Sequence, residues 1–395
     1  MAHRESDWRG ILGGTDRSLR ARLLRGLLTP VSWGYGGMMR LRNRKYDRGI
    51  GVRRLPRPVI SVGNLTTGGT GKTPVVHWLC DRLRAAGERP AVLMRGYKAR
   101  PGEKGDEQEM LASLLNRDGV IPVPVLANPR RYEEAMAHLE RSPQTTVFVL
   151  DDGFQHRRIA RDFDLVLIDA TNAFGYGRVL PRGLLREPVG GLKRADAILI
   201  TRADQVGERT LGDVVDGLRG ADVPTFRAAH GWAGVRTDGG QSMPVADLAG
   251  CRVFALAGIG NPEGFAAQLA AAADVVGRRF FPDHHAYARA DVDAVMSDAR
   301  AAGAEAVVTT DKDWVKLRRV IDGVESGGRG SVRAAGEPRA NPNGSAGASP
   351  SQSRGFADRL PVWRVELAVR FMDDGAEEML LSRIRDAIRA GSQTP

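Results

Sequence analysis

The chain has 395 residues, 42% of them apolar, and its 58 lysines and arginines outnumber its 47 acidic residues to give a net charge of +11. This is enough for about two to three domains with real cores and excludes a wholly disordered chain; the basic excess favours a polyanionic partner, whether nucleic acid, an acidic membrane face or a phosphorylated substrate. Two distant cysteines, Cys80 and Cys251, exclude a disulfide framework or a cysteine-based zinc site and read as buried thiols in a reducing compartment.

The first 18 residues are polar and charged, so no secretory leader is expected there. Residues 17–48 then mix Arg20, Arg22, Arg25, Arg40, Arg42, Arg44 and Lys45 with leucines at spacings of three and four, and with Trp33, Tyr35 and Met38. Basic flanks around an amphipathic, aromatic-bearing stretch suit a segment lying in a bilayer interface. The uncharged run 26–39 is broken by Pro30 and glycines and is too short to span a membrane, which takes roughly 20 apolar residues.

From residue 58 short apolar runs at 59–62, 91–94, 123–127, 146–150, 165–168 and 197–200 alternate with helical patterns, notably at 72–86, 107–115 and 129–140. Buried strands alternating with helices predict a parallel sheet covered on both faces. A second α/β unit is expected from about residue 252. Its strands are predicted at 253–257, 275–280 and 306–309 and its helices at 263–272 and 290–302. Residues 322–358 are dominated by Gly, Ser, Ala, Pro, Arg and Asn and read as a disordered insertion. An alternating strand at 362–369 and an amphipathic helix at 375–390 close the chain.

The sharpest motif is Val59-Ile-Ser-Val-Gly63-Asn-Leu-Thr66-Thr67-Gly68-Gly69-Thr70-Gly71-Lys72-Thr73, an apolar strand, a glycine-rich turn and the opening of a helix. Glycines let backbone N–H groups converge on phosphate oxygens, and the helix N-terminus adds a favourable dipole. Lys72 can reach the β- and γ-phosphates, and the Thr73 hydroxyl can ligate Mg²⁺. Residues 66–73 are therefore expected to bind a nucleoside triphosphate, although Thr66 stands where the usual motif has glycine. A P-loop enzyme also needs an apolar strand ending in a carboxylate, and residues 145–150 run into Asp151-Asp152-Gly153. Phe154-Gln155-His156-Arg157-Arg158 continues from the same rim.

Together with Arg95-Gly96-Tyr97, Gly105-Asp106-Glu107, Asp151-Asp-Gly-Phe-Gln-His-Arg157, Leu180-Pro-Arg-Gly-Leu-Leu-Arg-Glu-Pro188, Leu192-Lys-Arg-Ala-Asp196, Ala257-Gly-Ile-Gly-Asn-Pro262, Phe281-Pro-Asp-His-His285 and Thr310-Asp-Lys-Asp313, this loop resembles the tetraacyldisaccharide 4'-kinase family of lipid A biosynthesis over roughly residues 20–320. In that family the Thr at the first loop position is usual. The resemblance implies an α/β fold of the P-loop NTPase type, with a parallel sheet between two helical layers and a smaller C-terminal α/β domain. It implies ATP and Mg²⁺ as cofactors, phosphorylation of a tetraacyl-disaccharide 1-phosphate at its 4'-hydroxyl to give lipid IVA, and peripheral work at the cytoplasmic face of the inner membrane.

The resemblance implies residue roles as well. Asp106 is the base for the sugar hydroxyl, paired with His284, for which the neighbouring His285 is a rival. Glu107 and Asp152 ligate the metal, with Asp151 behind them, and Arg186 stabilises charge on the transferring group. His156 contacts the lipid substrate or fixes the carboxylate pair, and Arg95 and Tyr97 meet the sugar or its phosphate. The expected domains are a membrane-associating segment at 1–50, a P-loop kinase domain at 51–245, and a C-terminal domain at 246–395 that carries the insertion. With the P-loop in one domain and His284 in the other, the site is expected to lie between them and to close on ATP.

Two other classes were open to the same residues. Thr201-Arg202-Ala203-Asp204 after a strand resembles, with two substitutions, the guanine-reading loop of a P-loop GTPase or metallochaperone-like switch. A nucleic-acid-binding ATPase would use the basic excess, but no module that reads DNA or RNA is recognisable and no nucleic acid is expected as a partner.

Overall fold

The computed structural model describes residue 8 and residues 10–96, 105–116, 121–283, 285–321 and 359–393, and for Asp106 the backbone position alone. The predicted insertion at 322–358 lies outside the described residues, as do Tyr97 and His284. The chain forms two compact units, Met1–Trp232 with Leu367–Pro395, and Ala233–Glu366.

The first unit opens with a 29-residue helix, α1 (Leu19–Asp47), capped by the Ser18 hydroxyl, which accepts from the Ala21 amide at 3.2 Å. Sequence reading breaks this stretch at Pro30, yet the helix runs through it. The proline removes the backbone donor that would reach the Gly26 carbonyl, and in the same turn the Thr29 hydroxyl donates to the Arg25 carbonyl at 2.7 Å.

The sheet of this unit is built from β1 (Val59–Asn64), β2 (Pro90–Met94), β3 (Val125–Ala127), β4 (Val147–Asp151), β5 (Phe163–Asp169), β6 (Ala197–Thr201) and the first residues of β7 (Thr225–Arg236). Its strand order is β7-β6-β5-β1-β4-β2-β3, and every pairing is parallel. Successive strand residues serve opposite faces, as a period of two requires. Val147 and Val149 join a core with helix α2 (Lys72–Ala85) and helix α3 (Asp106–Leu115), whereas Phe148 and Leu150 pack toward α4 (Arg131–Arg141). Ile198 and Ile200 likewise face α5 (Glu208–Leu218). Both faces are thus covered, which explains strands that read as continuous apolar runs.

The second unit has β8 (Ser242–Met243), β9 (Arg252–Ala257), α6 (Pro262–Ala270), β10 (Asp274–Phe280), α7 (Arg289–Ala301), β11 (Ala306–Thr310) and α8 (Asp311–Ile321). Its parallel sheet runs β10-β9-β11 and then the first residues of β12 (Val362–Phe371). Phe254, Leu256 and Val307 pack there with Val295 and Met296 of α7 and with Trp314 and Leu317 of α8.

Two expectations need correction. The closing helix α9 (Ala376–Ser392) belongs to the first unit, and that unit ends its first pass at Trp232, not at residue 245. Ala376, Leu380, Ile384 and Ile388, spaced by four, join the core that contains Val75, Trp78 and Leu79. The Trp78 indole donates to Glu377 at 2.8 Å, and its ring lies 5.2 Å from that of Phe371. Cys80 is buried as expected, with its thiol pushed upward by that burial, but Cys251 is half-exposed and donates to the Asp247 carbonyl at 3.4 Å.

Candidate active site

β1 ends where β4 ends, because the two strands are parallel neighbours in register from Val59–Phe148 to Val62–Asp151. The loops leaving them cross closely. A Cβ on Gly63 would fall 2.5 Å from the Phe154 backbone nitrogen, so only glycine permits this approach. The phosphate loop and the Asp151-Asp152 pair are thereby brought to one edge of the sheet, at the C-terminal ends of its strands.

The loop is fastened from several sides before any ligand arrives. The Thr67 amide donates to the Leu184 carbonyl at 2.8 Å, the Arg186 amide to Leu65 at 2.7 Å, and Thr66 bridges to Leu185. The buried Thr201 hydroxyl donates to the Thr70 carbonyl at 3.0 Å, and Arg202 pairs with Asp169. Thr201 and Arg202 therefore fasten the loop and its neighbouring strand, where a guanine-reading loop would leave them for a base. Gly68 and Gly69 are exposed. Gly71 caps α2 in the left-handed region at φ 79°, and no side chain caps the helix. The first N–H groups of such a helix are free to meet an anion.

Cations and carboxylates meet beside that helix end. Lys72 Nζ lies 3.5 Å from Asp152 Oδ1 and donates to Asn64 Oδ1 at 3.1 Å. One terminal nitrogen of Arg186 donates to both oxygens of Asp152 at 2.8 Å and reaches Gln155 Oε1 at 3.4 Å. Burial opposes ionisation of Asp152, yet Lys72 and Arg186 hold its carboxyl below the usual carboxylate range. Its neighbour Asp151 behaves oppositely. Burial pushes it up to about 6 against the pull of Lys72, and the charges of Asp152 and Glu107 add to the rise.

That pattern tests whether the site suits Mg²⁺. Among the described residues no three His, Cys, Asp or Glu side chains cluster at metal-holding distance. Mg²⁺ does not need such a cage, because it is commonly held by one or two carboxylates together with phosphate and water. Asp151 is an undercompensated carboxyl beside Asp152, with Glu107 close enough to be felt, so a divalent cation is the charge this group lacks. The residues fit the ion.

The remaining expected residues distribute unevenly. Thr73 sits half-buried in the first turn of α2 and Glu107 is exposed in the first turn of α3. Arg95 is exposed at the end of β2, near enough to Arg131 to disfavour its charge. His156 is fixed by its backbone amide to the Gly153 carbonyl at 2.7 Å. Its ring is kept neutral, down to about 4, by burial and by the surrounding Arg131, Arg161, Arg158 and Arg42. His285, the rival to His284, has Nε2 2.9 Å from Asp291 and its ring stacked on Phe281, so its imidazole is already engaged.

Three residues to which sequence reading gave no role of their own belong to this edge. Arg131 is 3% exposed, donates to the Asp151 carbonyl at 3.0 Å, and has an unpartnered Nε among the described residues. Gln155 donates to the Asn64 carbonyl at 2.9 Å and to Glu187 at 3.0 Å. Glu187 is fully buried and also takes Arg194 at 2.9 Å and Asn43 of α1 at 2.7 Å. An arginine opening a helix after Asn128-Pro129 was the only local hint of the first.

A family model described as Tetraacyldisaccharide-1-P 4'-kinase matches residues 24–325. A tetraacyldisaccharide 4'-kinase of Geobacter sulfurreducens is 39% identical over 78% of this chain and 89% of its own length. One from Geobacter metallireducens is 40% identical over 76% of this chain and 90% of its own. The crystal structure of LpxK from Aquifex aeolicus in complex with ATP superposes with a TM-score of 0.65 and 28% identity, covering 92% of this chain and 99% of that one. With the family model spanning residues 24–325 and relatives near 40% identity along most of their own length, the chain belongs to the tetraacyldisaccharide-1-P 4'-kinase family.

Proposed function

We propose that this protein transfers the γ-phosphate of ATP to the 4'-hydroxyl of a tetraacyl-disaccharide 1-phosphate at the cytoplasmic face of the inner membrane. The observation that carries the reading is the convergence of Lys72 and Arg186 on Asp152 beside an uncapped helix N-terminus. Phosphoryl transfer is mostly positioning and charge stabilisation, and this edge supplies both. Residues 66–73 hold the phosphates through the backbone amides of 68–73, and Lys72 leans toward their outer oxygens. Asp151, Asp152, Glu107 and Thr73 would hold the metal, which when bound would supply positive charge to the transferring phosphate. Arg186 exchanges its carboxylate partner for the transferring group as charge develops there.

Asp106 accepts the proton of the sugar hydroxyl and His284 orients it and shares the proton. The engagement of His285 with Asp291 favours His284 over its rival. His156, neutral at working pH, offers a hydrogen bond to the lipid headgroup, and Arg95 and Tyr97 meet the sugar or its phosphate.

Helix α1 supports the membrane part of the reading. No helix among the described residues is long and apolar enough to cross a membrane. Yet Leu19, Leu23, Leu27, Val31 and Leu41 are all more than half exposed on one side of α1, while Ala21, Ser32, Gly36 and Met39 are buried on the other. An apolar ridge among arginines suits an acidic lipid surface. The test is label transfer from γ-³²P-ATP to the disaccharide 1-phosphate in detergent micelles. Wild type should form product rapidly and Lys72→Ala, Asp106→Ala and His284→Ala far more slowly; full turnover by Asp106→Ala would remove the proposed base.

A further inference from the structure

The second unit contains three motifs that the phosphate site does not use: Ala257-Gly-Ile-Gly-Asn-Pro262, Phe281-Pro-Asp-His-His285 and Thr310-Asp-Lys-Asp313. They leave the ends of β9, β10 and β11, neighbours in one parallel sheet, and so arrive at one edge. A single buried carboxylate joins them. Asp313, fully buried in the first turn of α8, accepts from the Gly258 amide at 2.9 Å, the Thr310 hydroxyl at 2.8 Å and the Tyr287 hydroxyl at 3.0 Å. The junction is tight: a Cβ on Gly258 would stand 2.7 Å from Tyr287 Oη and 2.9 Å from Asp313 Oδ1.

The same helix reaches the loop after β10 at two more points. Lys312 Nζ donates to Asp283 Oδ1 at 2.7 Å, and Lys316 Nζ, on a side chain 7% exposed overall, donates to the His285 carbonyl at 3.1 Å. Positions 312, 313 and 316 lie within one turn of a helix, so one rigid element grips Asp283, His285 and Tyr287 together. The Phe281 ring, stacked 4.5 Å from His285 and edge-on to Tyr287 at 5.2 Å, completes the grip from within the loop. Asp283 and His285 are the chain neighbours of His284.

A buried carboxylate with three donors, flanked by two lysines aimed at one loop, is more than a helix cap requires. The Thr310 hydroxyl alone would satisfy an ordinary capping arrangement, since it also accepts from the Asp313 amide at 3.2 Å. We infer that Lys312 and Asp313 are positioning residues for phosphoryl transfer: from the first turn of α8 they hold the Asp-His segment on either side of His284. The inference rests on the proposed role of His284. A supporting shell of this kind is what keeps a reacting side chain within the fraction of an ångström that catalysis needs.

The test is steady-state kinetics on full-length Lys312→Met, Lys312→Arg, Tyr287→Phe and Asp313→Asn, with His284→Ala and Lys312→Met/His284→Ala beside them. Lys312→Met and Tyr287→Phe should lower kcat by about 10- to 100-fold, as a small misplacement of a catalytic group does, and leave the KM for ATP within about twofold of wild type. Lys312→Arg should recover much of the loss. Because Asp313→Asn can unfold the second unit, the two milder variants decide the matter, with their ATP binding checked by calorimetry. The double variant should be no slower than His284→Ala alone. Wild-type kcat in Lys312→Met and Tyr287→Phe, with His284→Ala strongly slowed, overturns the inference and leaves the catalytic reading standing. A further drop in the double variant overturns it too, by showing that Lys312 acts elsewhere. Full turnover in His284→Ala would overturn the catalytic role and this inference together.

Discussion

Asp151 gives the most demanding prediction, because the same charge that serves the reaction works against the fold. Its carboxyl is raised from 3.8 to about 6, first by burial and then by Asp152 and Glu107. At about 1.36 kcal/mol per unit, that rise corresponds to a ceiling of about 3 kcal/mol. The carboxyl is only half-buried, and solvent screening reduces the effect to roughly 1–2 kcal/mol. Below about pH 4 both the folded and the unfolded chain carry the proton, and Asp151→Asn should change stability little. As pH rises from there to about 6 the unfolded chain ionises first, so the wild type loses stability that the asparagine variant keeps. Urea unfolding from pH 4 to 8 should therefore show Asp151→Asn pulling ahead across that window and staying ahead by roughly 1–2 kcal/mol above it, while phosphoryl transfer falls by about 100-fold or more. A variant less stable than wild type at pH 8, or a difference that does not move with pH, would refute the reasoning.

Gly71→Ala places a Cβ 1.8 Å from Cε1 of His230 at a backbone φ of 79°. Left-handed strain of roughly 1–2 kcal/mol and overpacking of roughly 1–3 kcal/mol should add. Urea unfolding should show the sum, nucleotide titration should show weakened ATP binding, and adding His230→Ala should recover only the overpacking part. Glu187→Ala strips the buried partner from Arg194 and should cost roughly 3–5 kcal/mol in the same unfolding assay, with Glu187→Gln less harmful. Leu23→Ser with Leu27→Ser should reduce co-sedimentation with anionic vesicles and leave turnover on a detergent-dispersed acceptor unchanged, since both side chains are exposed and contribute nothing to the core.

What the sequence displays and what it conceals follow from the range of the interactions. The phosphate loop is legible because its chemistry is local: residues 59–73 contain the strand, the glycines, the lysine and the helix start. The parallel sheet is legible for a similar reason, since burial on both faces leaves β4, β5 and β6 almost free of polar residues. Arg131, Gln155 and Glu187 are not legible, because the contacts that bring them to this edge are distant in the chain: Asp151 lies 20 residues from Arg131, Asn64 91 from Gln155 and Asn43 144 from Glu187. The partition into units is hidden as well. β7 is interrupted by Gly231 and Gly234 and alternates irregularly between buried and exposed positions, so its 12 residues do not read as one strand. Nothing within α9 reveals that its row of four apolar residues packs on α2, whose residues precede it by about three hundred positions. Pro30 misleads in the opposite direction, marking a break where α1 runs on through the proline at the loss of one backbone donor.

The central claim is that residues 66–73, Lys72 foremost, hold the triphosphate of ATP beside Asp152 and Arg186, and calorimetric titration with ATP and Mg²⁺ tests it most directly. One saturable site per chain for ATP is expected, with no comparable uptake of GTP and loss of the signal in Lys72→Ala. Absence of heat with ATP in the wild type, or equal binding by Lys72→Ala, would contradict it.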